Sequence, residues 1–203
     1  MLDSLLVLAA AVCISTLSYL CVPRLRRLRA DSRPAVFAIA DAADTERIRR
    51  QAREAVIAFG EELRNAPPSE GALDAYQAAA KVLDAATSPT DLAGVLVLVN
   101  IGRGGPPLCL FNPLHGPSAR QVNWRLLGRR EQLRVPACSA CAEAIGRHRP
   151  PEVLADSVNK KHVPYLEVDP AKSVWAATGF GVFSDDLVER ILRGDFRHRR
   201  AGH

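Results

Sequence analysis

The sequence has no positively charged residue before its longest apolar run, because the chain opens on Met-Leu-Asp-Ser. A cleaved signal peptide normally has positive charge in that leader, so its absence argues against cleavage and export. A small residue is also missing before Cys21, where Leu20 stands, and this argues against a lipoprotein. We therefore expect the N-terminal segment to be retained.

The apolar run is long enough to cross a membrane. It extends from Leu5 to Val22, 18 residues without charge, or roughly 27 Å of helix. A helix buried in a globular core is disfavoured by the arginines that follow at once, Arg24, Arg26, Arg27 and Arg29. Basic residues beside a membrane span stay in the cytoplasm. We predict a transmembrane anchor over residues 1–23, a basic juxtamembrane linker over residues 24–42, and a single-pass cell-membrane protein with its C-terminal domain in the cytoplasm.

The body of the chain lacks a net positive charge. The formal net charge is +5, of which the juxtamembrane arginines supply +4 and the basic tail, counted from Arg193, supplies +3, which leaves −2 for the rest. A nearly neutral body has no basic stripe with which to contact phosphates. We therefore predict a membrane partner and no nucleic-acid partner, and residues 195–203 are interpreted as a basic tail.

Residues 43–101 have the pattern of an alanine-rich helical segment. Apolar residues recur at helical spacing from Asp44 to Asn65 and again from about Glu70 to Ala86. Ser88 and Pro89 have the residue types of an N-cap and a first helical position, which predicts a third helix. Within that helix the apolar run Val95–Val99 is equally compatible with a buried strand.

No catalytic acid or base pair is recognisable in the helical segment. The glycine-rich stretch that follows, residues 102–107, lacks the Lys-Ser/Thr pair of a phosphate-binding loop. We interpret it as a linker.

Residues 107–194 contain short β segments, turns and prolines, and are predicted to form a Cys/His-containing α+β module. Its predicted elements are a hairpin (Gln121–Leu126 and Glu131–Val135, ended by Pro136), a short helix (Ser139–Arg147), a strand (Val163–Val168) and a last helix from Ser184 to Leu192. The whole chain is therefore predicted to be α+β. Four aromatic residues of this module are expected to pack around a small metal core or, alternatively, to form a binding surface: Trp124, Tyr165, Trp175 and Phe180.

Three of the five cysteines lie outside the predicted anchor, and together with one histidine they have the spacing Cys109-x5-His115-x22-Cys138-x2-Cys141. In a reducing cytosol a Cys-x2-Cys pair more often binds metal or does redox work than forms a structural disulfide. Three thiolates and an imidazole are a ligand set that tetrahedral zinc accepts. We predict a structural zinc site; free cysteines, or thiol redox chemistry at Cys138 and Cys141, are the alternatives.

The order of the predicted elements around these residues resembles a treble-clef zinc site. A turn-rich knuckle with Cys109 and His115 comes first, the hairpin follows, and the second cysteine pair lies at the start of a short helix, whose N-terminus favours thiolates. The first knuckle departs from the usual Cys-x2-Cys. His148 and His162 are reserve ligands.

Several segments resemble a family of actinobacterial single-pass membrane proteins for which no activity is established. The similarity covers residues 43–183 and lies in Cys109-Leu-Phe-Asn-Pro-Leu-His-Gly-Pro, Val122-x-Trp124, Val135-Pro-Ala-Cys138, Val163-Pro-Tyr165 and Val174-Trp-Ala. The same segments resemble the region after the membrane span in some larger proteins with an extracytoplasmic TPM domain.

These observations favour a membrane-tethered interaction or scaffold module over an enzyme. Such a module implies a protein partner, and the sequence identifies no small-molecule substrate. The competing hypotheses are a metal-dependent enzyme resembling treble-clef nucleases, with His115 or His148 in catalysis, and a thiol redox protein.

Overall fold

The computed structural model describes residues 43–65, 67–125, 131–158 and 161–196. The predicted anchor, the juxtamembrane linker and the end of the basic tail lie outside these ranges. No helix within them is both long and apolar enough to span a membrane. Nearly all the described residues belong to one compact unit that begins at Arg47.

The described chain is α+β, as the sequence predicts. It contains six α-helices, two two-stranded antiparallel sheets and two turns of 3₁₀ helix. In chain order the elements are α1 (43–65), α2 (Ala72–Ala85), α3 (Pro89–Gly102), a 3₁₀ turn (Pro113–His115), β1 (Arg120–Trp124), β2 (Leu133–Ala137), α4 (Ser139–Gly146), β3 (Ala155–Val158), β4 (Lys161–Pro164), a 3₁₀ turn (Tyr165–Glu167), α5 (Val174–Thr178) and α6 (Leu187–Arg193).

The three predicted helices of the first half are confirmed. Helix α3 begins with a complete capping box, because the Ser88 side chain accepts from the Asp91 backbone N–H at 3.1 Å and the Asp91 carboxylate accepts from the Ser88 N–H at 3.2 Å. Proline at the first helical position costs no hydrogen bond there. The run Val95–Val99 is helical, which decides between the two structures that its apolar character allows.

Helix α3 is buried on nearly every side and forms the centre of the first hydrophobic cluster, which we call the helical core. Trp175 of α5 packs into this core, where its indole N–H donates to the Asp91 carboxylate at 3.0 Å and its ring lies against Gly94. Phe180 stacks on Trp175 with ring centroids 5.3 Å apart. The alternative interpretation, that Trp175 contributes to a binding surface, is wrong, because its side chain is buried among the helices.

A second, smaller cluster, which we call the metal-side core, lies beneath the β1–β2 hairpin. Phe111 and Trp124 meet there edge to face at 5.0 Å. The four aromatic residues expected around one metal core are therefore divided, since Tyr165, Trp175 and Phe180 belong to the helical core. Tyr165 joins the two clusters, because its buried hydroxyl donates to the Leu110 carbonyl.

The β1–β2 hairpin is confirmed, but the prediction that Pro136 ends its second strand is wrong. Strand β2 continues through Pro136, which pairs with Gln121 of β1. The Pro136 carbonyl accepts from the Leu110 N–H at 2.9 Å on the edge away from β1. The Pro136 nitrogen faces the same way as its carbonyl, so no hydrogen bond to β1 is lost.

The second half of the module differs from the sequence prediction in its short elements. The predicted strand Val163–Val168 is only partly right, because β4 ends at Pro164 and the next three residues form a 3₁₀ turn. Its partner β3 was not predicted, and neither was α5. The short helix α4 and the last helix α6 lie where the sequence places them, each within a few residues.

Candidate metal centre

The four predicted ligands converge in the structure. One ligand atom from each of Cys109, His115, Cys138 and Cys141 lies within 4.8 Å of every other, and the four residues could bind a metal ion. The three cysteines are buried and unpaired by disulfides. Within the described ranges neither reserve histidine, His148 or His162, joins this group.

A closed loop brings Cys109 and His115 together. Leu108 and Pro117 form an isolated antiparallel bridge, and the Cys109 N–H donates to the Gly116 carbonyl at 3.0 Å. The bridge and this hydrogen bond close the loop at its base. Cys109 and His115, which five residues separate along the chain, therefore lie close together. The spacing of the first knuckle is therefore set by this loop.

A capped 3₁₀ turn orients the histidine. The Asn112 side-chain oxygen accepts from the Leu114 N–H at 3.0 Å, and Pro113 occupies the first position of the turn. Asn112 is buried and also places its amide nitrogen 3.3 Å from His115 Nε2. The other ring nitrogen, Nδ1, faces Cys138 and Cys141.

The second cysteine pair lies at the junction of β2 and α4. Cys138 is the N-cap of α4, and its sulfur accepts from the Cys141 backbone N–H at 3.5 Å. Cys141 follows in the first turn of the helix. The positive end of a helix dipole stabilises thiolates at this position.

The distances from His115 fit a shared ligand site. Its Nδ1 atom lies 3.6 Å from Cys138 Sγ and 3.5 Å from Cys141 Sγ. Tetrahedral zinc, with bonds of about 2.3 Å to sulfur and about 2.0–2.1 Å to nitrogen, separates such atoms by about 3.5 Å. His115 Nδ1 therefore lies where it could bind the same metal ion as the two sulfur atoms.

The thiols of the cluster differ in acidity. Burial opposes ionisation of Cys138, but hydrogen bonds from the backbone N–H of Cys141 and from neighbouring groups outweigh it and lower the pKa of this thiol. Burial raises the pKa of Cys141 well above its usual range, and the repulsion that a thiolate at Cys109 would exert on a thiolate at Cys141 adds to the effect. Several thiolates at this spacing repel one another, and a divalent cation among them reverses that repulsion.

Glu152 is a candidate functional residue that the sequence analysis missed. Its carboxylate Oε2 lies 3.8 Å from His115 Nε2, and its backbone carbonyl lies 4.0 Å from Cys141 Sγ. After α4 the chain reverses at His148, whose φ of 56° is left-handed, and returns along the cluster. No local pattern in the sequence signals this approach, because it depends on how the chain returns.

One side of the cluster faces a surface groove of about 820 Å³. Its lining includes His115, Cys138 and Cys141 together with Arg149 and Glu152. Cys138 and Cys141 are buried residues of this lining, whereas the Glu152 carboxylate is largely in solvent.

Comparisons of the chain with protein-family models, with curated proteins and with solved structures found no match.

Proposed function

We propose that this chain is a membrane-tethered, cytosolic interaction or scaffold module whose Cys/His half is held together by one structural zinc ion. The observation that carries the proposal is the convergence of three cysteine sulfurs and one imidazole nitrogen within 4.8 Å.

The donor set favours zinc over other common metals. Soft thiolate ligands select zinc, copper(I) or iron–sulfur clusters, whereas magnesium and calcium take oxygen ligands. Three sulfurs with one imidazole nitrogen are a common ligand set of tetrahedral structural zinc. The spacings from Nδ1 to two sulfurs agree with that geometry.

Four protein ligands leave tetrahedral zinc no open position, and this supports a structural role rather than a catalytic one. Catalytic zinc usually keeps one position for water or substrate. The metal-side core is also small, since three of its eight buried residues are the cysteines themselves. A core of that size needs a staple, and a bound metal supplies one.

The order of elements supports a treble-clef-like arrangement. The knuckle of Cys109 and His115 precedes the β1–β2 hairpin, and the second pair opens α4. The competing redox protein would be expected in a thioredoxin-like setting of parallel strands. The sheets of the described residues are antiparallel hairpins.

The tether is supported by the apolar run over residues 5–22 and the arginines that follow it. A reporter fused after His203 is expected to be active only in the cytosol. Activity of an extracytoplasmic reporter at the same position would overturn the orientation.

Metal analysis of the purified full chain tests the zinc proposal. We expect about one zinc per chain, because all four ligands come from a single chain. The zinc should be released when the thiols are modified. A thiol redox pair would instead show no stoichiometric metal and a reversible two-electron change confined to Cys138 and Cys141. Metal-free chain with all three thiols reactive in the native state would also refute the proposal.

Changing Glu152 to glutamine is expected to weaken zinc binding by about tenfold. A histidine ligand usually donates its second ring N–H to a carboxylate, which fixes the ring and raises ligand basicity. Glu152 lies within reach of this role, and its exposure places the effect at the low end of the range. Zinc affinity is measured by competition with a chromophoric chelator.

The matched control is Glu143→Gln, which removes a carboxylate from α4 that pairs with Arg147 at 2.6 Å. We expect this variant to bind zinc like the original chain. Equal affinities for the Glu152 and Glu143 variants would show that Glu152 does not support the histidine.

A further inference from the structure

A second cavity, distinct from the groove at the cysteines, lies between the end of α3, the β1–β2 hairpin and the turn Gly179–Val182. Its volume is about 370 Å³, and it shares no lining residue with the groove. Sites for small organic ligands commonly measure about 300–1,000 Å³. The cavity is therefore large enough for a small molecule.

Most of the residues that line the cavity have apolar side chains, among them Val97, Ile101, Leu108 and Val182. The hairpin contributes polar side chains to the cavity, because successive side chains along a strand point to opposite faces of the sheet. Val135 of β2 points into the metal-side core, so its neighbour Arg134 points to the opposite side of the sheet. An apolar body with one polar end would fit such a surface.

Among the described residues, Arg134 is the one charged residue in the lining, and no carboxylate lines the cavity with it. Within those ranges no side chain of the protein hydrogen-bonds or ion-pairs with Arg134 or with Gln121, its polar neighbour on the same face. A single guanidinium matches one carboxylate in a bidentate pair. A phosphate dianion would call for more positive charge than the cavity provides.

The backbone is conformationally constrained at two places in the lining of the cavity. Asn100 donates to the Pro106 carbonyl at 2.9 Å, and its side-chain oxygen would lie 2.3 Å from a Cβ at Gly105. Phe180, which also lines the cavity, has a φ of 56°, an unfavourable conformation for a bulky residue. Backbone strain of this kind tends to occur at ligand sites, where a fixed shape is useful.

We propose that this cavity binds a small organic monocarboxylate with an apolar body. The carboxylate pairs with Arg134 beside the Gln121 amide, and the body lies against Ile101, Leu108 and Val182. Cys109 of the metal cluster also lines the cavity, but the polar groups assigned to the ligand, Arg134 and Gln121, do not belong to that cluster.

The test compares 3-phenylpropanoate with its neutral amide, 3-phenylpropanamide, as probes of the full chain in nonionic detergent. The two molecules share one body and differ in charge. Binding is followed by saturation-transfer NMR of the probe, titrated to about 10 mM, since a ligand of this size is expected to have a Kd on the order of 1 mM. We expect the acid to bind at least about tenfold more tightly than the amide.

Three variants localise the binding. Arg134→Gln should reduce acid binding to the level of the amide, whereas Arg120→Gln, at an exposed strand arginine outside the cavity, should leave it unchanged. Gln121→Trp, at an exposed strand position, should fill the cavity and weaken both probes without disturbing the core. Equal binding of acid and amide, no loss on Arg134→Gln, or no saturable binding of the acid would each overturn the proposal.

Discussion

The variant Cys141→Ser is expected to lose stoichiometric zinc and, with it, the fixed structure of the described residues 109–125 and 131–148. Cys141 is almost completely buried in the first turn of α4, and its sulfur lies 3.5 Å from His115 Nδ1. A serine hydroxyl at this position is a poor ligand for zinc. The stability lost with the zinc cannot exceed the zinc-binding free energy, which is about 10–16 kcal/mol in zinc-finger peptides. Metal content and hydrogen exchange of the full chain measure the two effects.

The control for this substitution is Ala140→Ser, which adds the same hydroxyl one residue earlier at an exposed position of the same helix. It should retain zinc and normal exchange protection. The helical core should remain protected in both variants, because its packing does not involve the ligands. Retention of one zinc per chain by Cys141→Ser would remove this cysteine from the ligand set, and loss of protection throughout the chain would show that the two cores do not unfold separately.

The variant Gly94→Ala is expected to lower the free energy of unfolding by about 2–4 kcal/mol. In an exposed helix the same change would stabilise by up to about 1 kcal/mol. Here a Cβ at Gly94 would lie 2.2 Å from the Trp175 ring, so the ring would have to move. Movement of the ring would strain the hydrogen bond that the Trp175 indole N–H donates to the buried Asp91 carboxylate. Overpacking of the core lowers the free energy of unfolding further, by about 1–3 kcal/mol. Denaturant unfolding measures the difference.

Gly146→Ala is the matched control, because Gly146 also lies in a helix but has open space where its Cβ would stand. We expect it to raise the free energy of unfolding by about 0.5–1 kcal/mol. A stabilising effect of Gly94→Ala equal to that of the control would mean that Trp175 does not pack against α3.

The helices could be predicted because their signals are local. Ser88 and Pro89 mark the start of α3 by their own chemistry, and the prolines after α1 mark its end. The run Val95–Val99 could not be assigned, since a helix that is buried on all sides shows no polar face and its period disappears. Helix α5 has only five residues, and its tryptophan is placed by contacts with α3, 84 positions away along the chain from Asp91.

The cluster of Cys109, His115, Cys138 and Cys141, which could bind a metal ion, could be predicted for a similar reason, whereas its surroundings could not. Cysteine spacing is a strong signal, because few other uses in a reducing compartment require it. Glu152 and the cavity beside Arg134 depend on where the chain returns after a turn, and that path is set by packing. The prediction that Pro136 ends β2 was wrong because the sequence does not show which edge of the strand faces a partner.

The separation of the aromatic residues between two cores has a spectroscopic consequence. The chain has two tryptophans, and each core contains one of them. The Trp175 indole N–H is hydrogen-bonded to a carboxylate, whereas Trp124 packs edge to face with Phe111. The two tryptophans should therefore give well-resolved NMR signals, either from the indole protons or from fluorine in a chain labelled with fluorotryptophan. If the proposed zinc is bound, its removal should shift the Trp124 signal and leave the Trp175 signal in place, so one labelled sample can report on both cores.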